Sequence, residues 1–359
     1  MATPALTSAR LVAQRLVGPP FPDPTSAVSA FGAMQGQDLP GVVASAALRS
    51  SGAVADVLTA LDDGRLVRGY PMRGTVFLMD AADVVWATQL CAEPSLRAAA
   101  NRRHQLGLDA QQIERAGGIA AEALDSGPMS RADLFAVWDA AGLAPAGGRG
   151  YHMLFTLIAA TRLVYGPWNG ADQDVALVRQ WLPGAAGLAE RFDGDRTAAV
   201  AEWLLRYLTS HGPATVRDFA WWTKLTLGEI RRALPLIVDR LETDGAAEPS
   251  YWRPGLHDEV RAVGRTAAQP LLLPGFDEYV LGYADRLFAM ADDHHRRLVP
   301  GNNGVFKRSV VIGGRVVGTW TRAGRPGRRT LEIDGFVPIS EAARSRLEAR
   351  YGEFPFAAD

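Results

Sequence analysis

Two stretches, "SGPMSRADLFAVW" (126–138) and "HGPATVRDFAWW" (211–222), constrain the fold of this 359-residue chain more than any other feature. Each has Gly-Pro, then Ser130 or Thr215, then Asp133 or Asp218 three residues later. That spacing predicts a helix start at which the hydroxyl accepts a free backbone N–H. The apolar residues that follow fall on one face of a short helix. A second helical segment comes after each start, over 151–164 and over 227–242. β-prone residues with a turn follow, at 162–168 and 174–178 in one copy and within 246–253 in the other. Helices, a turn, a longer helix and a hairpin make the outline of a winged helix. Residues 54–80 repeat it earlier: a helix, then "RLVRGY", a turn and "GTVFLM". Arg-Leu-Val recurs at 65–67 and 162–164, marking the same helix-to-wing junction. The helical part of this first unit takes in residues 25–36, so Gln35 and Gln37 are expected in or just after an early helix.

Three tandem winged-helix units, 1–90, 91–185 and 186–262, therefore account for most of the chain. Residues 263–359 change character. "FKRSVVIGGRVVGTW" (306–320) alternates around Gly313-Gly314, a strong hairpin signal because both central positions accept φ > 0. "RRTLEIDGF" gives another strand, and Ser340 heads a capped terminal helix. The expected class is α+β, with a small C-terminal β-rich unit ending in a helix.

A single cysteine, Cys91, excludes an internal disulfide framework and a cysteine-based zinc site. The first residues carry Arg10 and Arg15 inside their only apolar stretch, and no run is long enough to span a bilayer. A cytoplasmic, nucleoid-associated monomer without membrane partner is expected. The net charge of −1 conceals segregation: no acidic residue lies between Asp293 and Glu332, where nine arginines and lysines fall. Such a block suits phosphate binding, although a solvated arginine-rich loop has the same composition. The six histidines are dispersed apart from His294-His295, so no metal site is expected. Phosphate-binding and dinucleotide glycine loops are missing, as is a nucleophile elbow, and no cofactor is expected. Asp277-Glu278, read as strand residues, would point to opposite faces. Asp277 is expected to brace an arginine or a backbone turn.

The remaining oddity is "FGAMQGQDLPG" (31–41), which sets Gln35 and Gln37 in apolar surroundings. On spacing alone, the two amides satisfy free carbonyls at the turn before Leu39-Pro40. The motifs "AMQGQD", "MRGTVFLM", "GPATVRDFAWWTKL", "LLPGFDEYVLGYADR" and "VVIGGRVVGTW" occur in order along the chain. Together they resemble the winged-helix DNA-binding family that contains the AlkZ and AlkX DNA glycosylases, over nearly the whole sequence. The family signature is Gln-Φ-Gln or Gln-Φ-Asp, with Φ apolar; Gln35-Gly36-Gln37 is similar to the first branch. Glycine at the centre departs from the pattern and predicts a looser backbone. Phe77 departs too, since relatives often carry histidine there.

The resemblance implies catalytic Gln35 and Gln37, acting on double-stranded DNA with alkylated bases. A purine alkylated at N7 or N3 already carries positive charge and leaves as a neutral base. No strong acid is then needed, and an amide carbonyl suffices to hold a water beneath C1′. The 306–320 hairpin, with Arg315 beside its glycine tip, is expected to enter a minor groove. Lys307, Arg308, Arg322 and Arg325 would hold phosphates, and Arg65, Arg68 and Arg73 on the first wing form a second candidate patch. The rival readings are a non-catalytic DNA-binding regulator and a protein-interaction scaffold.

Overall fold

The computed structural model describes residues 4–356. Its strands are β1 (Ala33–Gln35), β2 (Leu66–Met72), β3 (Thr75–Asp80), β4 (Leu163–Trp168), β5 (Gln173–Leu177), β6 (Ala214–Thr215), β7 (Glu242–Thr243), β8 (Ser250–Trp252), β9 (Leu271–Leu273), β10 (Ser309–Ile312), β11 (Arg315–Ala323) and β12 (Thr330–Gly335). They form three antiparallel sheets of order β1-β3-β2-β4-β5, β12-β11-β10-β9 and β6-β8-β7. Helices surround these sheets, giving a mixed α+β architecture.

The capping signals act as the sequence predicts. Ser130 accepts the N–H of Asp133 and heads the helix Arg131–Ala140. Thr215 and Asp218 complete a reciprocal box at Val216–Thr223, and Ser340 caps Glu341–Gly352. The Arg-Leu-Val repeat is equally literal, since β2 and β4 begin at Leu66 and Leu163 and lie side by side in one sheet. Both hairpins thus fuse into a single five-stranded layer, joined where Arg68 on β2 pairs with Tyr165 on β4.

Several expectations shift. The helix expected over 227–242 ends at Ala233, because Pro235 lacks the N–H that an α-helix needs there, and a 3₁₀ turn (Leu234–Leu236) follows. Gln35 and Gln37 come just after the early helix, not in it: the helix Pro24–Phe31 stops at Gly32, whose φ of 78° breaks it, and Gln35 ends β1. Divisions after residues 90 and 262 fall inside the helices Ala81–Cys91 and Leu256–Val263.

The main core gathers Trp86, Trp203, Tyr207, Phe219 and Trp222 beneath the first sheet, and Phe77 on β3 reaches into it. Trp203 and Trp222 stack at 5.9 Å, and Phe77 meets Trp222 edge-on at 6.2 Å. Such ring pairs add about 0.5–1.5 kcal/mol each beyond area burial. This aromatic floor fixes β3, and β3 fixes the strand carrying Gln35.

Candidate nucleic-acid interface and catalytic site

β1 is an edge strand of three residues, in register with β3 so that Gln35 opposes Phe77. An edge strand leaves an outward N–H to be satisfied elsewhere. Here the Gln35 N–H donates to Glu278 Oε1 at 2.7 Å. The other carboxylate oxygen of Glu278 faces His211 Nε2 at 3.4 Å, and His211 Nδ1 lies 2.9 Å from the Ser210 hydroxyl. Burial holds the His211 imidazole below its ordinary pKa, against the opposing pull of Glu278.

Asp277 and Glu278 are not strand residues. Asp277 caps the short helix Glu278–Leu281, and both carboxylates are buried in the interior. Asp277 braces Arg49, with Nη1 at 2.9 Å and Nη2 at 2.7 Å, and accepts the Ser45 hydroxyl at 2.7 Å. Gln14 extends the network, accepting from Arg49 Nη2 at 2.8 Å and donating to the Glu278 carbonyl at 3.3 Å. The predicted bracing role of Asp277 holds. The Glu278 contact to Gln35 spans 243 residues, and nothing in the sequence signals it.

The Gln35 side chain is buried. Its Nε2 donates to Thr75 Oγ1 at 3.4 Å, and its Oε1 has no partner. A buried acceptor left unpaired costs about 1–3 kcal/mol, so it marks a strained or functional position. Gln37 differs: it is exposed and lines a cleft of about 430 Å³ together with Arg68, Tyr70, Arg131, Tyr165 and Asp172. Gln35 does not line this cleft. Arg131 and the two tyrosines escaped the sequence reading because only the meeting of β2 and β4 brings them beside Gln37. Asp38, next in the chain, turns away from the cleft. It sits at the N-cap position of the helix Leu39–Leu48, with its Oδ2 2.6 Å from where a Cβ on Gly41 would stand. Burial raises the pKa of this carboxyl, opposed by Arg308.

Gly36 is tightly held rather than loose. Its N–H donates to the Val76 carbonyl at 2.8 Å, and its carbonyl accepts from Arg68 Nη1 at 3.1 Å. A Cβ there would stand 3.0 Å from Leu78 N, 3.1 Å from Phe77 C and 3.3 Å from Arg68 Cδ. The glycine lets the chain cross β3 at close range. Gly36→Ala is accordingly expected to displace β1, costing about 1–3 kcal/mol of stability and slowing base release more than it weakens DNA binding. Chemical denaturation and single-turnover assays would check both effects.

The basic residues do not form the two patches that the sequence suggests. Arg65 is exposed beside Asp63 and Thr25. Arg68 is buried, and its guanidinium is spent on Gln173, the Gly36 carbonyl and Asp172. Arg73 lies at the far end of the hairpin, over Phe77 and Trp221. The 306–320 hairpin is also displaced from its expected role, because β10 lies inside its sheet between β9 and β11. Its Gly313-Gly314 turn packs against the protein: the Tyr279 hydroxyl donates to the Gly314 carbonyl at 2.6 Å. A Cβ on Gly314 would meet the Thr7 side chain at 2.5 Å. That tip is closed to a groove. Arg315 begins β11 at the same closed end, where its charge lies close to Tyr279. The exposed basic turn is instead the one between β11 and β12, which carries Arg325 and Arg328, with Arg322 at its base over Phe356. Lys307 is exposed, and Arg308 lies half-buried over Trp320.

Among the described residues no His, Cys, Asp and Glu group could hold a metal ion, and no helix is long and apolar enough to cross a membrane.

The profile of the family described as "DNA glycosylase AlkZ-like" matches residues 28–354. The chain belongs to the AlkZ-like DNA glycosylase family. Membership makes it an enzyme acting on DNA. Its fold is similar to that of Streptomyces sahachiroi DNA glycosylase AlkZ, with a TM-score of 0.75 over 98% of this chain and 95% of that one, at 20% identity. No protein with a curated description matches the sequence. Within the AlkZ-like frame, the Gln-Gly-Gln segment joins an edge strand to a helix start, with one amide buried and one facing a cleft.

Proposed function

We propose that this protein is a monofunctional DNA glycosylase that hydrolyses the N-glycosidic bond of cationic alkylated purines, N7-alkylguanine and N3-alkyladenine. Bulky or crosslinked adducts of the same charge are included. The carrying observation is that the cleft beside Gln37 offers a neutral amide and no free carboxylate. Asp172, its one acid, is tied to Arg68 at 3.1 Å and to Arg131 at 3.7 Å, and Asp38 is folded over Gly41.

Such a site lacks an acid to protonate a neutral leaving base, which restricts it to bases already carrying charge. The Gln37 carbonyl accepts a hydrogen bond from the attacking water and turns its dipole toward the oxocarbenium-like sugar. Positioning of that water replaces a strong base. Gln35, whose Oε1 is unpaired, supplies the second acceptor once the site is occupied. Neither lysine, Lys224 or Lys307, lines the cleft beside Gln37; hydrolysis rather than a Schiff-base lyase step follows. The exposed β11–β12 turn supplies cations for the DNA backbone.

The test is release of free base from duplexes carrying N7-methylguanine and bulkier N7 adducts. Release from cationic lesions and none from undamaged guanine is expected. Tight, sequence-specific binding without any release would instead make the protein a regulator.

A further inference from the structure

A second cationic feature lies at the β2–β3 turn. Arg73, Lys224 and Arg286 converge on one ring, that of Trp221, at 4.8, 5.5 and 4.8 Å from its centroid. The row continues at both ends. Arg73 also covers Phe77 at 5.2 Å, and Arg286 covers Phe306 at 5.1 Å. Cations and aromatic faces therefore alternate along a line from the β2–β3 turn to the segment before β10.

Three like charges around one ring repel each other. Burial and the neighbouring Arg73 charge hold both Lys224 and Arg286 below their ordinary pKa ranges. None of the three has a carboxylate partner within ion-pair distance among the described residues. Glu278, the carboxylate whose charge acts on Arg73, is engaged by the Gln35 N–H and His211. The Arg73 Nη2 and Arg286 Nε atoms are shut off from solvent without a hydrogen-bond partner.

The backbone is also spent on this arrangement. Arg73 has φ of 56° and Gly74 has φ of 68°, so an arginine fills a two-residue turn position that favours Asn, Asp or Gly. Lys224 takes φ of 65° at the end of the helix Val216–Thr223. Left-handed non-glycine residues cost about 1 kcal/mol or more and gather at functional sites. Two of them aim cations at the same indole.

We propose that Arg73, Lys224 and Arg286, arrayed around Trp221, form a binding site for one phosphodiester of the DNA strand whose damaged nucleotide is presented to Gln35 and Gln37. An anion relieves the repulsion and supplies acceptors for the Lys224 ammonium and the accessible guanidinium N–H groups. Thr75, two residues beyond Arg73, accepts from the Gln35 amide, so the bound phosphodiester borders the reacting nucleotide. This assignment rests on the reading of the protein as a DNA glycosylase.

The experiment measures binding to a duplex with a tetrahydrofuran abasic-site analogue, which needs no base release. Single neutral methylphosphonate linkages are placed in turn on either side of the analogue. At one linkage the wild type is expected to lose about tenfold in affinity, and a Lys224→Gln/Arg286→Gln variant to lose none. The variant's slope of log affinity against log salt is expected to be shallower by about 1, one phosphate contact fewer. Equal losses in wild type and variant at every linkage, with an unchanged slope, would overturn the site. Lys224 is exposed, so Lys224→Gln alone carries the comparison should the double variant not fold. A shallower slope in a protein that releases no base would leave the phosphate site standing and remove the glycosylase reading. Base release with an unchanged slope does the reverse.

Discussion

Replacement of Gln37 by alanine is expected to slow base release about a hundredfold or more, with melting temperature and affinity for abasic-analogue DNA close to wild type. Gln37 is exposed, and its amide has no hydrogen-bond partner among the described residues. Truncation therefore removes nothing that the folded protein uses for stability. In the proposed mechanism its contribution is confined to the transition state, where one pre-aimed dipole is worth about 10²–10³ in rate. Single-turnover release of N7-methylguanine is the measurement. Gln37→Glu retains an acceptor oxygen at the same reach and should keep more activity than the alanine variant. Alanine and wild type releasing base equally fast would remove Gln37 from the chemistry. Gln35→Ala is a less clean probe, because Gln35 is only 6% exposed and hydrogen-bonded to Thr75.

The largest stability effect is expected at Asp277. Asp277→Ala should cost about 3–5 kcal/mol, because it leaves Arg49 charged and buried without its partner. Side-chain exposures of 0% for Arg49 and 1% for Asp277 mean that water cannot compensate. A paired Arg49→Met/Asp277→Leu replacement should recover most of the loss, since two apolar groups leave no orphan charge. The sign with pH follows from the shift. Burial pushes the Asp277 carboxyl up, but the Arg49 charge and hydrogen bonds outweigh it and hold the pKa below the ordinary carboxylate value. A depressed folded-state pKa stabilises above the unfolded value of about 3.9 and is lost as pH falls through the folded one. The gap between wild type and Asp277→Ala should be flat from neutrality to mild acid and shrink below about pH 4. Denaturant titrations at several pH values would show it; a gap that widens in acid would refute this origin.

Local chemistry was legible in the sequence because capping and turn formation involve residues a few positions apart. Ser130, Thr215 and Ser340 cap helices where their spacing says, and Gly313-Gly314 turns a hairpin. Pro235 is a local signal of the same kind, ending its helix at Ala233. The family, too, was readable from motif order. The surroundings of each motif were not. Gly313-Gly314 states that the chain reverses there, but not that Tyr279 and Thr7 will close over the turn. Three arginines on one hairpin look like one patch; the strand's alternation and the neighbouring β4 send Arg68 inward and leave Arg73 beside Trp221. Gly36 looked like slack because sequence alone does not show Leu78 and Phe77 pressed against it. Trp221, Lys224 and Arg286 carry no motif as a set, since they lie up to 65 positions apart in the chain.

The helix Pro4–Ala13 and the residues after it find hydrogen-bond partners more than 200 positions further along the chain. Thr7 donates to the Gly313 carbonyl, Arg10 to the Pro213 carbonyl at 3.0 Å, and Gln14 to the Tyr283 hydroxyl at 3.1 Å. A ribosome making about 5–20 residues per second needs roughly 10–60 seconds to pass from this helix to those positions. Until then this helix lacks those partners, and Arg49 lacks Asp277. The buried network behind Gln35 is thus completed only once residues 277–283 have been made, long after the Gln35–Gln37 segment itself.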